Sequence, residues 1–97
     1  MSFSFLDGSQ ITGKVFQKDN KAPLLGANVM FVNDNGDQFG ASCDARGRYK
    51  IDNVSNGNYK VVVSFIGYED FRDDILIEEE KTYTINAALS ILSLIHI

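Results

Sequence analysis

The residues that could do chemistry in this chain are few. They are the carboxylate pairs Asp73 with Asp74 and Glu78 with Glu80, the single cysteine Cys43, the single histidine His96, and the oxygen-rich run Asn33-Asp34-Asn35-Gly36-Asp37. Acid and base catalysis by carboxyls needs two groups at a fixed separation in a cleft, with their pKa values pushed apart. Adjacent acids at a strand end offer neither condition. One histidine, in a terminal segment out of character with the rest, supports neither a histidine-based triad nor a two-histidine zinc site. Cys43 has only Arg46 near it in sequence to lower its pKa, so it reads as a small buried hydrophobe and not as a nucleophile. The run 33–37 fails the spacing of a helix-loop-helix calcium site. With Gly36 at the sixth loop position, Phe31 would stand where the first carboxylate belongs and Ser42 where the closing glutamate belongs. The expectation is a domain that is not an enzyme, with no catalytic, cofactor-binding or metal-binding residues and no cofactor.

Two further features could serve recognition. Tyr68 and Phe71, just after the longest apolar run, could form an interaction patch or a structural corner, and a tyrosine at a sandwich corner more often packs its ring and bonds its hydroxyl to backbone. Asn53-Val54-Ser55 fits a glycosylation sequon, a triplet that also arises by chance. Gly8, Gly13 and Gly26 surround β segments and do not form a phosphate-cradling strand-to-helix loop.

The elements that must position these residues are strands. The chain has 97 residues, enough for one core, with 44% hydrophobic residues, eight glycines, one proline and no tryptophan. Alternation of apolar and polar residues predicts seven strands, at about residues 11–16, 27–33, 38–42, 48–52, 58–66, 70–77 and 82–89. Asn-Gly and Asp-Ala-Arg-Gly turns separate them, and Pro23 belongs ahead of the second strand because it donates no ladder hydrogen bond. This is the pattern of an all-β, seven-stranded antiparallel β-sandwich. The strand at 58–66, with Tyr59, Val61, Val63 and Phe65 on one face, is the expected centre of the core.

The net charge of −4 gives no electrostatic footprint for nucleic acid or anionic lipid. No run of 18 apolar residues could span a bilayer as a helix. Residues 1–9 read as an N-terminal stub compatible with a signal-peptide remnant, residues 10–90 as the sandwich. Residues 91–97 match the translation of a transposon end used in sequencing-library adapters and are expected to be a non-native tail, in which His96 carries no function.

Several segments together resemble the carboxypeptidase regulatory-like domain, a transthyretin-like (prealbumin-like) Greek-key sandwich, over about residues 11–89. They are Gly13-Lys14-Val15, Asp19, Pro23-Leu24-Leu25-Gly26-Ala27-Asn28-Val29, Asp44-Ala45-Arg46-Gly47-Arg48-Tyr49-Lys50-Ile51, Val54, Gly57-Asn58-Tyr59 and Ser64-Phe65-Ile66-Gly67-Tyr68. Cys43 stands where the family usually has Thr or Ser. The Pro23-to-Val29 and Phe65-Ile66-Gly67-Tyr68 segments look most like copies at the N-terminus of TonB-dependent outer-membrane receptors of Bacteroidetes-type bacteria. That resemblance implies a non-catalytic accessory domain on the periplasmic side of the outer membrane, part of a nutrient-transport receptor. Its partners would be proteins, either the receptor's plug and barrel or periplasmic components, with no nucleic acid and no membrane insertion by the domain itself. The alternatives are an accessory domain of a secreted zinc carboxypeptidase and a cell-surface adhesin or glycan-binding module.

Overall fold

The computed structural model describes residues 9–78 and 81–92. Expectations placed on Glu80, on His96 and on most of the two terminal segments fall outside these residues. Within them the chain forms β1 (Ser9–Gln17), β2 (Asn28–Asn33), β3 (Gln38–Ser42), β4 (Arg48–Val54), β5 (Gly57–Ser64), β6 (Phe71–Ile77), β7 (Thr82–Thr84) and β8 (Ala87–Leu89). Two sheets result. One has β1 at its centre, flanked by β4 on one side and by β7 and β8 on the other; the second runs β3-β2-β5-β6.

The sandwich is the fold that the alternation predicts, because period 2 turns one face of each strand inward. Ile11 and Val15 of β1, Val29 and Phe31 of β2, Tyr49 and Ile51 of β4, and Tyr59, Val61 and Val63 of β5 are all buried. Phe31 and Phe39 meet the Tyr59 ring edge to face, at centroid distances of 6.4 and 5.9 Å. The Tyr59 hydroxyl donates to the Ser55 carbonyl at 2.8 Å, so the ring is buried without orphaning its polar end.

Three particulars differ from the expectation. The seventh predicted strand is two short ones, broken at Ile85 and Asn86. Both pair with β1 in parallel, since the chain crosses back from the second sheet before entering β7. The register is the same on either side of the break, so Tyr83, Ile85 and Ala87 keep their alternation and hide the interruption from the sequence. Finally, β4 and β5 are consecutive but do not pair: β4 lies against β1, and β5 lies between β2 and β6. The Asn56-Gly57 segment is therefore a crossover between sheets. The hairpins are β2–β3 and β5–β6.

β1 and β4 also shift register between Ser9 and Ile11, where Ser9 faces Val54 and Ile11 faces Ile51. Asn53 lies on the bulged side of this irregularity with φ at 59°, a conformation that asparagine tolerates better than most residues.

Candidate interaction surface

The structure places Tyr68 and Phe71 at the corner between β5 and β6 and leaves both half-buried. Gly67, with φ at 88°, makes the turn, and the Tyr68 N–H donates to the Phe65 carbonyl at 3.0 Å. The Tyr68 ring tilts against Phe65 at 5.5 Å. Its hydroxyl lies 3.4 Å from Nε2 of Gln17, at the long end for a hydrogen bond. The segment 90–92 straps this corner: Glu69 N–H donates to Ser90 O, Leu92 N–H donates to Gly67 O, and Tyr68 bridges Ile91. Phe71 begins β6 opposite Val63. Around this end Ile66 is 89% exposed and Ile91 53%, which makes it the most apolar exposed corner described.

Tyrosine hydroxyls do bond to backbone in this sandwich, at Tyr49, Tyr59 and Tyr83. Tyr49 donates to the Ile85 carbonyl at 2.6 Å, across the break between β7 and β8. Burial holds its phenol above the usual tyrosine range, with a smaller contribution from the nearby Cys43. Gly13 makes this contact possible. A Cβ at residue 13 would overlap the Ile85 carbonyl oxygen and lie 2.8 Å from the Tyr49 ring. The missing ladder contact is replaced by Asn86, whose Oδ1 accepts from the Lys14 N–H at 2.9 Å. Sequence spacing could not reveal this lock, because its members are brought together only by the β1–β4 and β1–β7 pairings.

Among the described residues the chemistry-bearing groups do not converge. Asp73 and Asp74 are adjacent on exposed β6 and point to opposite sides of it. Asp74 pairs with Lys60 at 3.7 Å. Asp73 lies on the same side of the strand as Phe71, Ile75 and Ile77, where a charge on an edge strand discourages pairing with another chain. Cys43 is buried, and burial, with help from Asp44, pushes its thiol up to about 11. The oxygens of the 33–37 loop serve the turn itself. Asn33 Oδ1 accepts from the N–H groups of Asn35 and Asp37, and Asn33 Nδ2 donates to Asp37 Oδ2. Asp44 works likewise: its Oδ1 accepts from the N–H groups of Arg48 and Arg46, which hold the carboxyl below the usual range. Gly47, with φ at 75°, completes that turn; a Cβ there would lie 2.5 Å from the Val15 carbonyl.

One arrangement was not read from the sequence. Lys14 and Arg48 are direct partners across β1 and β4, and with Lys21 and Arg46 they line one hollow on the outer face of the first sheet. Their outward positions are visible in the alternation, but their adjacency depends on a pairing between strands more than thirty residues apart.

The CarboxypepD_reg-like domain family matches residues 11–94. No curated protein sequence matches. Among solved structures, the group B streptococcus pilus 2b backbone protein superposes with a TM-score of 0.70 at 18% identity, over 87% of this chain and 41% of that one. The Bacillus anthracis TIE protein gives 0.72 at 17%, over 89% of this chain and 17% of that one. GBS52, a minor pilin of Streptococcus agalactiae, gives 0.71 at 17%, over 95% and 48%. The chain thus spans less than half the length of each of these three, and at such identities the likeness is one of fold. With the family matched across most of its length and the sandwich in place, the chain belongs to the CarboxypepD_reg-like domain family.

Proposed function

We propose that this domain is a non-catalytic accessory module on the periplasmic side of the outer membrane, part of a TonB-dependent nutrient receptor. The observation that carries the reading is the pair of motifs Pro23-Leu24-Leu25-Gly26-Ala27-Asn28-Val29 and Phe65-Ile66-Gly67-Tyr68, which resemble the receptor-borne versions of the family. The structure gives those motifs mechanical roles: Pro23 bridges Phe16, Leu24 and Ala27 are buried, and Gly67 turns the corner. Catalysis finds no support in the described carboxylates, which are exposed and divergent. Residues 10–90 are the module in this reading, and Tyr68 and Phe71 stand at the corner where a neighbouring domain or protein would touch it. Sequencing of the intact gene tests the proposal. A plug domain and a long series of amphipathic barrel strands are expected downstream, and their absence overturns it.

A second reading is favoured by the solved neighbours, two of which are named as pilus proteins. There the domain would be one sandwich in a cell-surface protein. Further sandwich domains in the intact gene, in place of a barrel, would establish it. A zinc carboxypeptidase context would instead show a His-x-x-Glu metal motif in the same gene.

A further inference from the structure

The outer face of the first sheet concentrates positive charge that the fold does not need. Lys14 and Arg48 face each other directly across β1 and β4, with Lys50 one step along, opposite Thr12. Like charges directly opposed across strands are destabilising. Among the described residues, the two ion pairs, Lys60 with Asp74 and Arg72 with Asp70, lie on the second sheet or just ahead of it. None of Lys14, Lys21, Arg46 and Arg48 is ion-paired there. Asp44 feels the charges of Arg48 and Arg46, but its Oδ1 is committed to the turn N–H groups and the residue lines a neighbouring hollow. A protein of net charge −4 thus gathers four cations around one hollow, with Asp44 offsetting Arg48 and Arg46 only in part.

These four line a hollow of about 610 Å³. Its apolar lining includes Phe16 and Pro23, held side by side by their bridge, with the Lys21 ammonium 5.6 Å from the Phe16 ring centre. The volume lies in the range of small-ligand sites, far below what a wrapped polymer covers. We infer that this hollow binds an acidic peptide segment, with carboxylates on Lys14, Arg46 and Arg48 and an apolar or aromatic side chain against Phe16 and Pro23. A nucleic acid fits less well, because its long phosphate backbone would leave the hollow and run over a surface carrying an excess of acids. The inference deepens the accessory-module reading by naming the chemistry of a partner.

The test uses the 97-residue chain and a fluorescein-labelled decapeptide of Glu and Asp around a central Tyr, followed by fluorescence polarisation at low and at physiological salt. Saturable binding is expected, weakened by salt. Lys14→Glu with Arg48→Glu should weaken it about tenfold, whereas the charge-matched Lys60→Glu with Arg72→Glu should change it less than about twofold. Lys14→Glu alone should weaken binding while raising the urea midpoint, because it converts a like-charge pair into an attractive one, so lost binding cannot be laid to lost folding. The absence of saturable binding, or equal loss in both double variants, overturns the inference. An oligothymidylate of equal charge that competes as well as the peptide overturns the choice of a peptide. The accessory-module reading is judged separately, by the intact gene, whatever the titration gives.

Discussion

Gly13→Ala tests the contact on which the first sheet turns. The added Cβ would overlap the Ile85 carbonyl oxygen and crowd the Tyr49 ring, so the segment at Ile85 must retreat from β1. Two hydrogen bonds depend on its present position, Tyr49 Oη to Ile85 O at 2.6 Å and Ile85 N to Thr12 O at 2.9 Å. Losing or stretching two such bonds costs about 1 kcal/mol each, and the overpacking adds about 1–3 kcal/mol. The expected loss is about 3–5 kcal/mol, a large share of the roughly 5–15 kcal/mol that holds a small domain folded. With a urea slope of roughly 1 kcal/mol/M for a domain of this size, the midpoint should fall by about 3 M or more.

Gly40→Ala supplies the control. Gly40 lies inside β3, and the nearest atom to its added Cβ, the Val29 carbonyl oxygen, is 3.4 Å away, an ordinary contact. Because glycine weakens a strand interior, this change should be neutral or stabilise by about 0.5 kcal/mol. The comparison is by equilibrium urea unfolding followed by tyrosine fluorescence. Tyr49→Phe should cost about 1 kcal/mol in the natural background and much less beside Gly13→Ala, where its partner has already moved. A Gly13→Ala protein that loses less than about 1 kcal/mol, or matches Gly40→Ala, refutes the close-approach argument.

Other predictions rest on the core and the corner. Tyr59→Ala and Val61→Ala should each cost about 2–4 kcal/mol by cavity formation, and Tyr59→Phe about 1 kcal/mol for the bond to Ser55; urea melts losing less than half a kcal/mol for either truncation would contradict the core assignment. Tyr68→Phe should cost less than about 0.5 kcal/mol, since its hydroxyl contact with Gln17 is long, and a larger loss would reveal a tighter corner than the one described. For Cys43 the folded thiol is pushed up to about 11 from 9.0, so folding favours the protonated form. Its contribution is whole below pH 9 and drains away between about 9 and 11, by about 2–3 kcal/mol at most. Urea midpoints measured from pH 8 to 11 should therefore fall more steeply in the natural chain than in Cys43→Ala, and equal slopes would refute the burial argument.

The legible part of this fold was the local part. Alternation placed Tyr59, Val61 and Val63 inward and Lys14, Arg48 and Lys50 outward, because a strand's faces follow from its own period. Glycine and asparagine marked the turns at Gly36, Gly47 and Gly67, all of which have positive φ. What stayed hidden depends on pairing. Nothing in residues 82–89 shows that they run parallel to β1, nor does Asn56-Gly57 announce a crossover between sheets, since the same turn chemistry serves a hairpin. The corner tyrosine illustrates the limit. Tyr68 drew attention by its place after the longest strand, yet the phenols that bond to backbone are those of Tyr49, Tyr59 and Tyr83, whose partners lie 36, 4 and 5 residues away. The same limit explains the hollow, whose four cations come from β1, the loop after it, the turn into β4 and β4 itself.

Charge shows why totals mislead in a two-layer fold. A net charge of −4 argues against partners that run across the whole surface, because a long polyanion feels the sum. It says little about a partner a few residues long, which feels charges within roughly one Debye length, about 8–10 Å in physiological salt. The two sheets of this sandwich turn their outer faces in opposite directions. Asp74 and Asp70 sit with Lys60 and Arg72 on or beside the second sheet, where charge is largely cancelled. Lys14, Lys21, Arg46 and Arg48 sit around the first, where Asp44 offsets them only in part. The inward residues of β1 and β4 are dictated by the core, but the outward ones need only be soluble, and a cross-strand acid opposite Lys14 would have been the more stable choice. Arg48 in that place is a cost to the fold that a bound carboxylate would remove, which is why binding strength and stability should move in opposite directions at this one pair.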